Sequence, residues 1–319
     1  MFQNFYVKGK NITLDEGFDK FINSCLLNKL SPYTIKNKRG AFNDFKDSVK
    51  NIAIVNCHQL NNDLIDNYKM YLSDKGNISS TINEKVCSLM SIFNYFHDKG
   101  WCDKLKVEYI KDEKRIYQTY TESQLEKLLE KPDLKKCSFA HYRAWVMVNF
   151  FYSTGVRKRT LINIKVEDLS FDDDIILLKV VKNKKQMYIP MSKQLKDILE
   201  EYLYYRDGEP EDYLFTDKYG NQLTPDNCRG VIKRYNERKG VDEEGTHKFR
   251  HCFATDYIKN GGNVVDLSHL LGHGSLEVTQ QYIDLLITDL KEHNNTFNPL
   301  DNFIGRQKKK TIIKMKRDI

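Results

Sequence analysis

THKFRHCFAT at residues 246–255 and LLGHGSLEVTQQYI at residues 270–283 are the segments on which the reading of this chain turns. In the first, His247 and Arg250 stand three residues apart, so on a helix they share one face. In the second, His273 follows a glycine and Tyr282 comes nine residues later. Taken singly, each feature is ordinary. Paired basic residues on a helix are common, a histidine after glycine fits any loop, and Tyr282 is one of 19 tyrosines.

Working upstream, two more segments stand out. Thr154-Gly155-Val156-Arg157 follows an apolar helical stretch, where Gly155 is most simply a helix stop and Arg157 a surface charge. Lys182 opens a lysine-rich turn, and Lys184 and Lys185 in that same turn compete with it for any chemical role. In chain order the set is arginine, lysine, histidine, arginine, histidine, tyrosine. Attack of an oxygen nucleophile on a phosphodiester builds negative charge on the non-bridging oxygens. Two guanidinium groups can clamp that charge bidentately, better than a flexible ammonium can. Histidine can take the nucleophile's proton near neutral pH, and lysine can supply one to a departing hydroxyl. A phenol, with a pKa near 10, needs such help to become a nucleophile.

The combined motif resembles the catalytic domain of the tyrosine recombinase family, which includes phage integrases, Xer recombinases and Cre. YSTGVRKRTLINIKVEDLSF (152–171) resembles the family's first arginine box. KNKKQMYIP (182–190) resembles its lysine hairpin, THKFRHCFAT its H-x-x-R box, and LLGHGSLEVTQQYI its tyrosine box. TIKNKRGAFNDF (34–45) and STINEKVCSLMSIFNYF (80–96) are similar in style to the family's core-binding domain. The likeness runs from about residue 12 to 294. It implies a two-domain, mainly α protein: a helical, SAM-like core-binding domain, and an α+β catalytic domain with a small β-sheet. The expected division is 1–102 for the DNA-binding domain, 103–118 for a lysine-rich linker, 119–294 for the catalytic domain and 295–319 for a basic tail.

The resemblance also assigns roles. Tyr282 attacks the scissile phosphate and becomes joined to the 3′ end. Arg157 and Arg250 hold the non-bridging oxygens, His247 accepts the tyrosine proton and His273 hydrogen-bonds a phosphate oxygen. Lys182 protonates the leaving 5′ hydroxyl. No cofactor and no metal are implied. The implied partners are duplex DNA with an inverted-repeat core site, three further copies of the chain in a synaptic tetramer, and accessory DNA-bending proteins. The segment from Tyr282 to Leu290 is expected to dock on a neighbouring subunit. One position departs from the family pattern: Thr160 stands where many members carry a carboxylate, three residues after the first arginine. An Xer-like resolvase, a type IB topoisomerase and a non-catalytic DNA-binding protein are the alternatives. The short run before the core-binding domain suits a minimal mobile-element or phage integrase or an Xer-like resolvase, and Thr160 together with the basic tail favours the mobile element.

Local patterns place the motifs on elements. Helices are expected over Asp15–Leu26, from Ser31-Pro32 onward, over Asp63–Ser73, and from Ser79 or Ser80 to a stop at Gly100. Thr121 and Gln124 form a capping box before Leu125–Leu129. Tyr142–Tyr152 is an apolar helix. Ile175–Val181 and Gln186–Ile189 read as a hairpin around the lysine turn. Leu195, Ile198, Leu199 and Tyr202 mark a helix after Pro190.

Composition sets outer bounds. With 319 residues, two domains of ordinary size fit. The 51 Lys and Arg exceed the 44 Asp and Glu by 7, which suits a polyanionic partner without requiring one. Seven cysteines, none in C-x-x-C spacing, argue against a disulfide framework or a structural zinc site. Met1–Asn11 has no apolar core of a signal peptide, and no run of roughly 18 apolar residues exists. The expectation is a cytoplasmic protein without membrane contact.

Overall fold

The computed structural model describes residues 12–52, 54–111, 119–179, 186–242, 245–272 and 279. The chain divides into two compact units, Met1–Arg115 and Ile116–Ile319.

The first unit contains helices α1 (Leu14–Leu27), α2 (Pro32–Ser48), α3 (Asn62–Asp74) and α4 (Ser79–Asp98). Helix α1 opens on a reciprocal cap: the Thr13 hydroxyl accepts from the Glu16 amide, and the Glu16 carboxylate accepts from the Thr13 amide. Ser31 caps α2, with Pro32 at the first helical position. Helix α4 stops where Gly100 adopts φ 72°, a left-handed conformation glycine takes without strain. The other three helices pack on α4. Their core is aromatic: Phe18 stacks on Phe42 with centroids 3.9 Å apart, and Phe45 meets Phe93 edge-on at 5.1 Å. Residues 103–110, expected as linker, pack as part of this unit. Leu105 is buried, and the Asn62 and Asn83 carboxamides accept from the amides of Lys106 and Ile110.

The second unit contains α5 (Glu122–Leu129), α6 (Phe139–Thr154), α7 (Lys158–Leu161), β1 (Leu169–Ser170), β2 (Ile175–Leu178) and β3 (Met187–Pro190). It continues with α8 (Lys193–Arg206), α9 (Pro225–Arg238), α10 (Thr246–Lys259) and α11 (Val264–Leu271). The strands form an antiparallel sheet in the order β1-β2-β3, with Ile176 opposite both Leu169 and Ile189. Both α5 and α6 start as their caps dictate, on Thr121 with Gln124 and on Ser138. Helix α6 is apolar on nearly every face because α5, α8, α9 and α10 surround it. Val146, Met147, Val148, Phe150 and Phe151 have no exposed surface. At about 1.5–3 kcal/mol each they contribute on the order of 10 kcal/mol before chain entropy is subtracted. Helix α6 is thus the fixed axis that carries the residues at its C-terminal end. The mainly helical two-unit architecture with one small sheet is the fold class expected from the sequence. The lysine turn itself, at 180–185, lies outside the described residues.

Candidate active site

Helix α6 ends at Gly155, which takes φ 61° and donates its amide to the Phe151 carbonyl at 2.9 Å. A β-carbon here would lie 2.5 Å from the Phe253 ring and 2.8 Å from Leu271. Both the backbone angle and the space therefore demand glycine. The reversal at Gly155 buries Val156 and presents Arg157 as the N-cap of α7. Arg157 is half-buried, and its Nη1 reaches the Leu271 carbonyl at a long 3.5 Å.

Arg250 comes to the same place from α10, which packs along α6. It is buried, and its guanidinium joins two other elements. Nη1 donates to the Gly155 carbonyl at 2.8 Å, and Nη2 donates to the Leu271 carbonyl at 2.8 Å. Leu271 closes α11, so its carbonyl is one of the last-turn acceptors that lack a partner within the helix and carry the negative end of the helix dipole. Two guanidinium groups thus converge on one helix terminus. Gly272, the C-cap of α11, takes φ 59°, a left-handed conformation that suits glycine. A β-carbon on Gly272 would lie 3.2 Å from the Met187 sulfur, so the first residue of β3 stands beside this turn.

His247 lies one turn before Arg250 on α10, with its side chain at the surface. Crowding by surrounding protein lowers its pKa below the usual imidazole value, and the charges of Arg250, Lys158 and Arg157 lower it further. His251, half-buried behind it, is pushed down to about 4, first by desolvation and then by His247 and Arg250. The cluster therefore offers a concentrated positive field beside a neutral imidazole at pH 7. Such a field can hold an oxyanion while the imidazole accepts a proton.

Of the six residues expected from sequence, Arg157, His247 and Arg250 are brought together. Lys182, His273 and Tyr282 lie outside the described residues. Thr160, at the position of the missing carboxylate, is buried in α7. Lys158 was not singled out, although it adds to the field on His247 and sits next to Arg157. Nor could the carbonyls of Gly155 and Leu271 be singled out, because a backbone acceptor has no signature of its own in sequence.

A helical unit with a small antiparallel sheet, two arginines at one helix terminus and a histidine beside them define a class of protein. That class is the tyrosine recombinase catalytic fold. The model of the phage integrase family matches residues 118–288, more than half of the chain, and the chain belongs to that family. A tyrosine recombinase of Pseudothermotoga lettingae is 32% identical over 214 residues, which cover 65% of this chain and 71% of the relative. Tyrosine recombinase XerA of Pyrococcus furiosus is 30% identical over 238 residues, covering 73% and 80%. Among solved structures, the Tn1549 transposon integrase in complex with transposon right-end DNA superimposes with a TM-score of 0.70. It is 17% identical, and the match covers 85% of this chain and 94% of that one. Membership in this family places the chain among the site-specific recombinases. Among the described residues, no helix is long and apolar enough to cross a membrane.

Proposed function

We propose that this chain cuts and rejoins DNA at a specific site through a covalent bond to Tyr282, in the service of a phage or mobile element. The observation that carries the reading is the meeting of Arg157 and Arg250 at the Leu271 carbonyl, with a neutral His247 beside them. In the proposed reaction the Tyr282 phenolic oxygen attacks the scissile phosphorus and passes its proton to His247. Arg157, Arg250 and His273 stabilise the non-bridging oxygens. The bond to the 5′ oxygen breaks, and Lys182 protonates the hydroxyl that leaves. The 5′ hydroxyl of a partner strand then attacks the 3′-phosphotyrosine and releases Tyr282. Two phosphodiester exchanges leave the number of high-energy bonds unchanged, so the cycle needs no nucleotide hydrolysis.

The substrate in this reading is duplex DNA with an inverted-repeat core, and four copies of the chain assemble on two duplexes. The Tn1549 integrase, whose solved complex contains transposon DNA, supports both the DNA partner and the mobile-element role. The XerA relative favours a second reading with the same chemistry, that of an Xer-like resolvase. The test is covalent trapping on nicked suicide duplexes built from DNA flanking the gene, with wild type and Tyr282→Phe compared on a denaturing gel. An adduct present in wild type and absent in the variant is the expected outcome. Firm binding without any adduct points instead to a non-catalytic DNA-binding protein.

A further inference from the structure

A second basic cavity lies between the first turns of α6 and the last turns of α9. It is lined by His141, Arg143, Arg234, Tyr235 and Arg238 together with small or aliphatic neighbours, and its volume is about 90 Å³. That is well below the roughly 300 Å³ at which sites for drug-sized ligands begin. Gly155 is 14 residues from His141 along α6 and its extension, or about 20 Å at 1.5 Å per residue. The cavity is therefore separate from the arginine cluster described above.

Two buried nitrogen atoms here are left unpartnered. Arg143 is only 8% exposed, and its Nη1 donates to the Thr216 carbonyl, yet its Nε has no hydrogen-bond partner. The Nε2 of His141 is buried and also lacks one. Buried polar atoms in this condition are costly and call for an explanation. Arg234 and Arg238, four residues apart on α9, repel each other on one helix face. Among the described residues, no carboxylate lines the cavity. The carboxylate whose charge acts on Arg143 is that of Asp217, whose oxygens already accept from the Tyr219 and Asn221 amides and the Asn221 carboxamide. The Tyr235 hydroxyl is likewise taken, donating to the Leu128 carbonyl at 2.8 Å. The N-terminus of α6, capped by Ser138, adds the positive end of a 16-residue helix dipole.

We propose that this cavity is a phosphate-binding site, holding one tetrahedral oxyanion between Arg143, His141, Arg234 and Arg238. The anion accepts hydrogen bonds from the Arg143 Nε–H and the His141 Nε2–H, and it neutralises the repulsion between Arg234 and Arg238. Free inorganic phosphate and a backbone phosphate of bound DNA share this chemistry.

The experiment is a titration of the full-length chain with inorganic phosphate at constant ionic strength, following the His141 ring protons by NMR. Wild type is compared with Arg234→Gln/Arg238→Gln, whose side chains face solvent, and with Arg157→Gln, which weakens the other arginine cluster. The expected result is a saturable His141 shift that is about tenfold or more weaker in the double variant and unchanged in Arg157→Gln. A His141 signal that ignores phosphate overturns the proposal. So does a shift that survives intact in the double variant, or one that Arg157→Gln removes. A short duplex then separates the sources. If the duplex gives the shift and phosphate added to the DNA complex moves His141 no further, the occupant is a backbone phosphate. If phosphate shifts His141 equally with DNA bound, the occupant is the free anion.

Discussion

Substituting Gly155 by alanine tests the packing on which the arginine cluster rests. Two separate costs arise. The residue sits at φ 61°, and holding a β-carbon there costs about 1–2 kcal/mol. That β-carbon would also lie 2.5 Å from Phe253 and 2.8 Å from Leu271, and overpacking of this kind adds about 1–3 kcal/mol. Gly220 supplies the internal control, since it lies in the same unit at φ 83° with no described atom within 4 Å of its would-be β-carbon. Gly220→Ala should therefore show the backbone cost alone, and Gly155→Ala about 1–3 kcal/mol more. Urea unfolding of both variants beside wild type, with the slope m held common, reads the difference directly. Covalent trapping on the same preparations should fall for Gly155→Ala only, because displacement of Leu271 moves the carbonyl that both arginines share. Equal destabilisation of the two variants would refute the argument that Phe253 and Leu271 hold Gly155 from either side.

Arg250→Lys keeps the charge but cannot span the Gly155 and Leu271 carbonyls. It should lose about 1.5–3 kcal/mol of stability and about 10²–10³ in cleavage rate, by urea unfolding and single-turnover trapping. His251 titrates near 4 when folded and near 6.5 when unfolded, so the unfolded chain binds more protons between those values. Stability should fall as pH drops from about 6.5 toward 4. His251→Gln should flatten that fall in melting temperature; an unchanged slope would assign it elsewhere. Among single alanine substitutions in the lysine turn, Lys182→Ala should reduce cleavage by about 10²-fold or more, while Lys184→Ala and Lys185→Ala stay close to wild type. Loss at Lys184 or Lys185 instead would move the proton donor within the turn.

Much of the fold is written in local signals. Ser31 with Pro32, Thr121 with Gln124, and the glycines at 100 and 155 mark helix ends because capping chemistry depends on a few adjacent residues. Helix α9 carries a weaker local signal: Cys228, Ile232 and Tyr235 form its buried stripe, but charged residues surround them. The strand β1 is two residues long and exists only through its pairing with β2. Residues 103–110 show no period and read as linker, yet Leu105 and two distant asparagines fix them to the first unit. The same division holds at the site. Arg157, His247 and Arg250 could be named from spacing and chemistry, whereas what brings two of them together is a helix-terminal carbonyl contributed by Leu271.

That carbonyl gives Arg250 a structural employment beside its proposed catalytic one. The guanidinium ties α10 to the end of α6 and to the end of α11. A copy of this gene released from selection for activity would still be under pressure to keep the residue, because its loss also unpins three helices. Inactive descendants should therefore accumulate their first disabling changes elsewhere, and an intact Arg250 is poor testimony that such a relative still works.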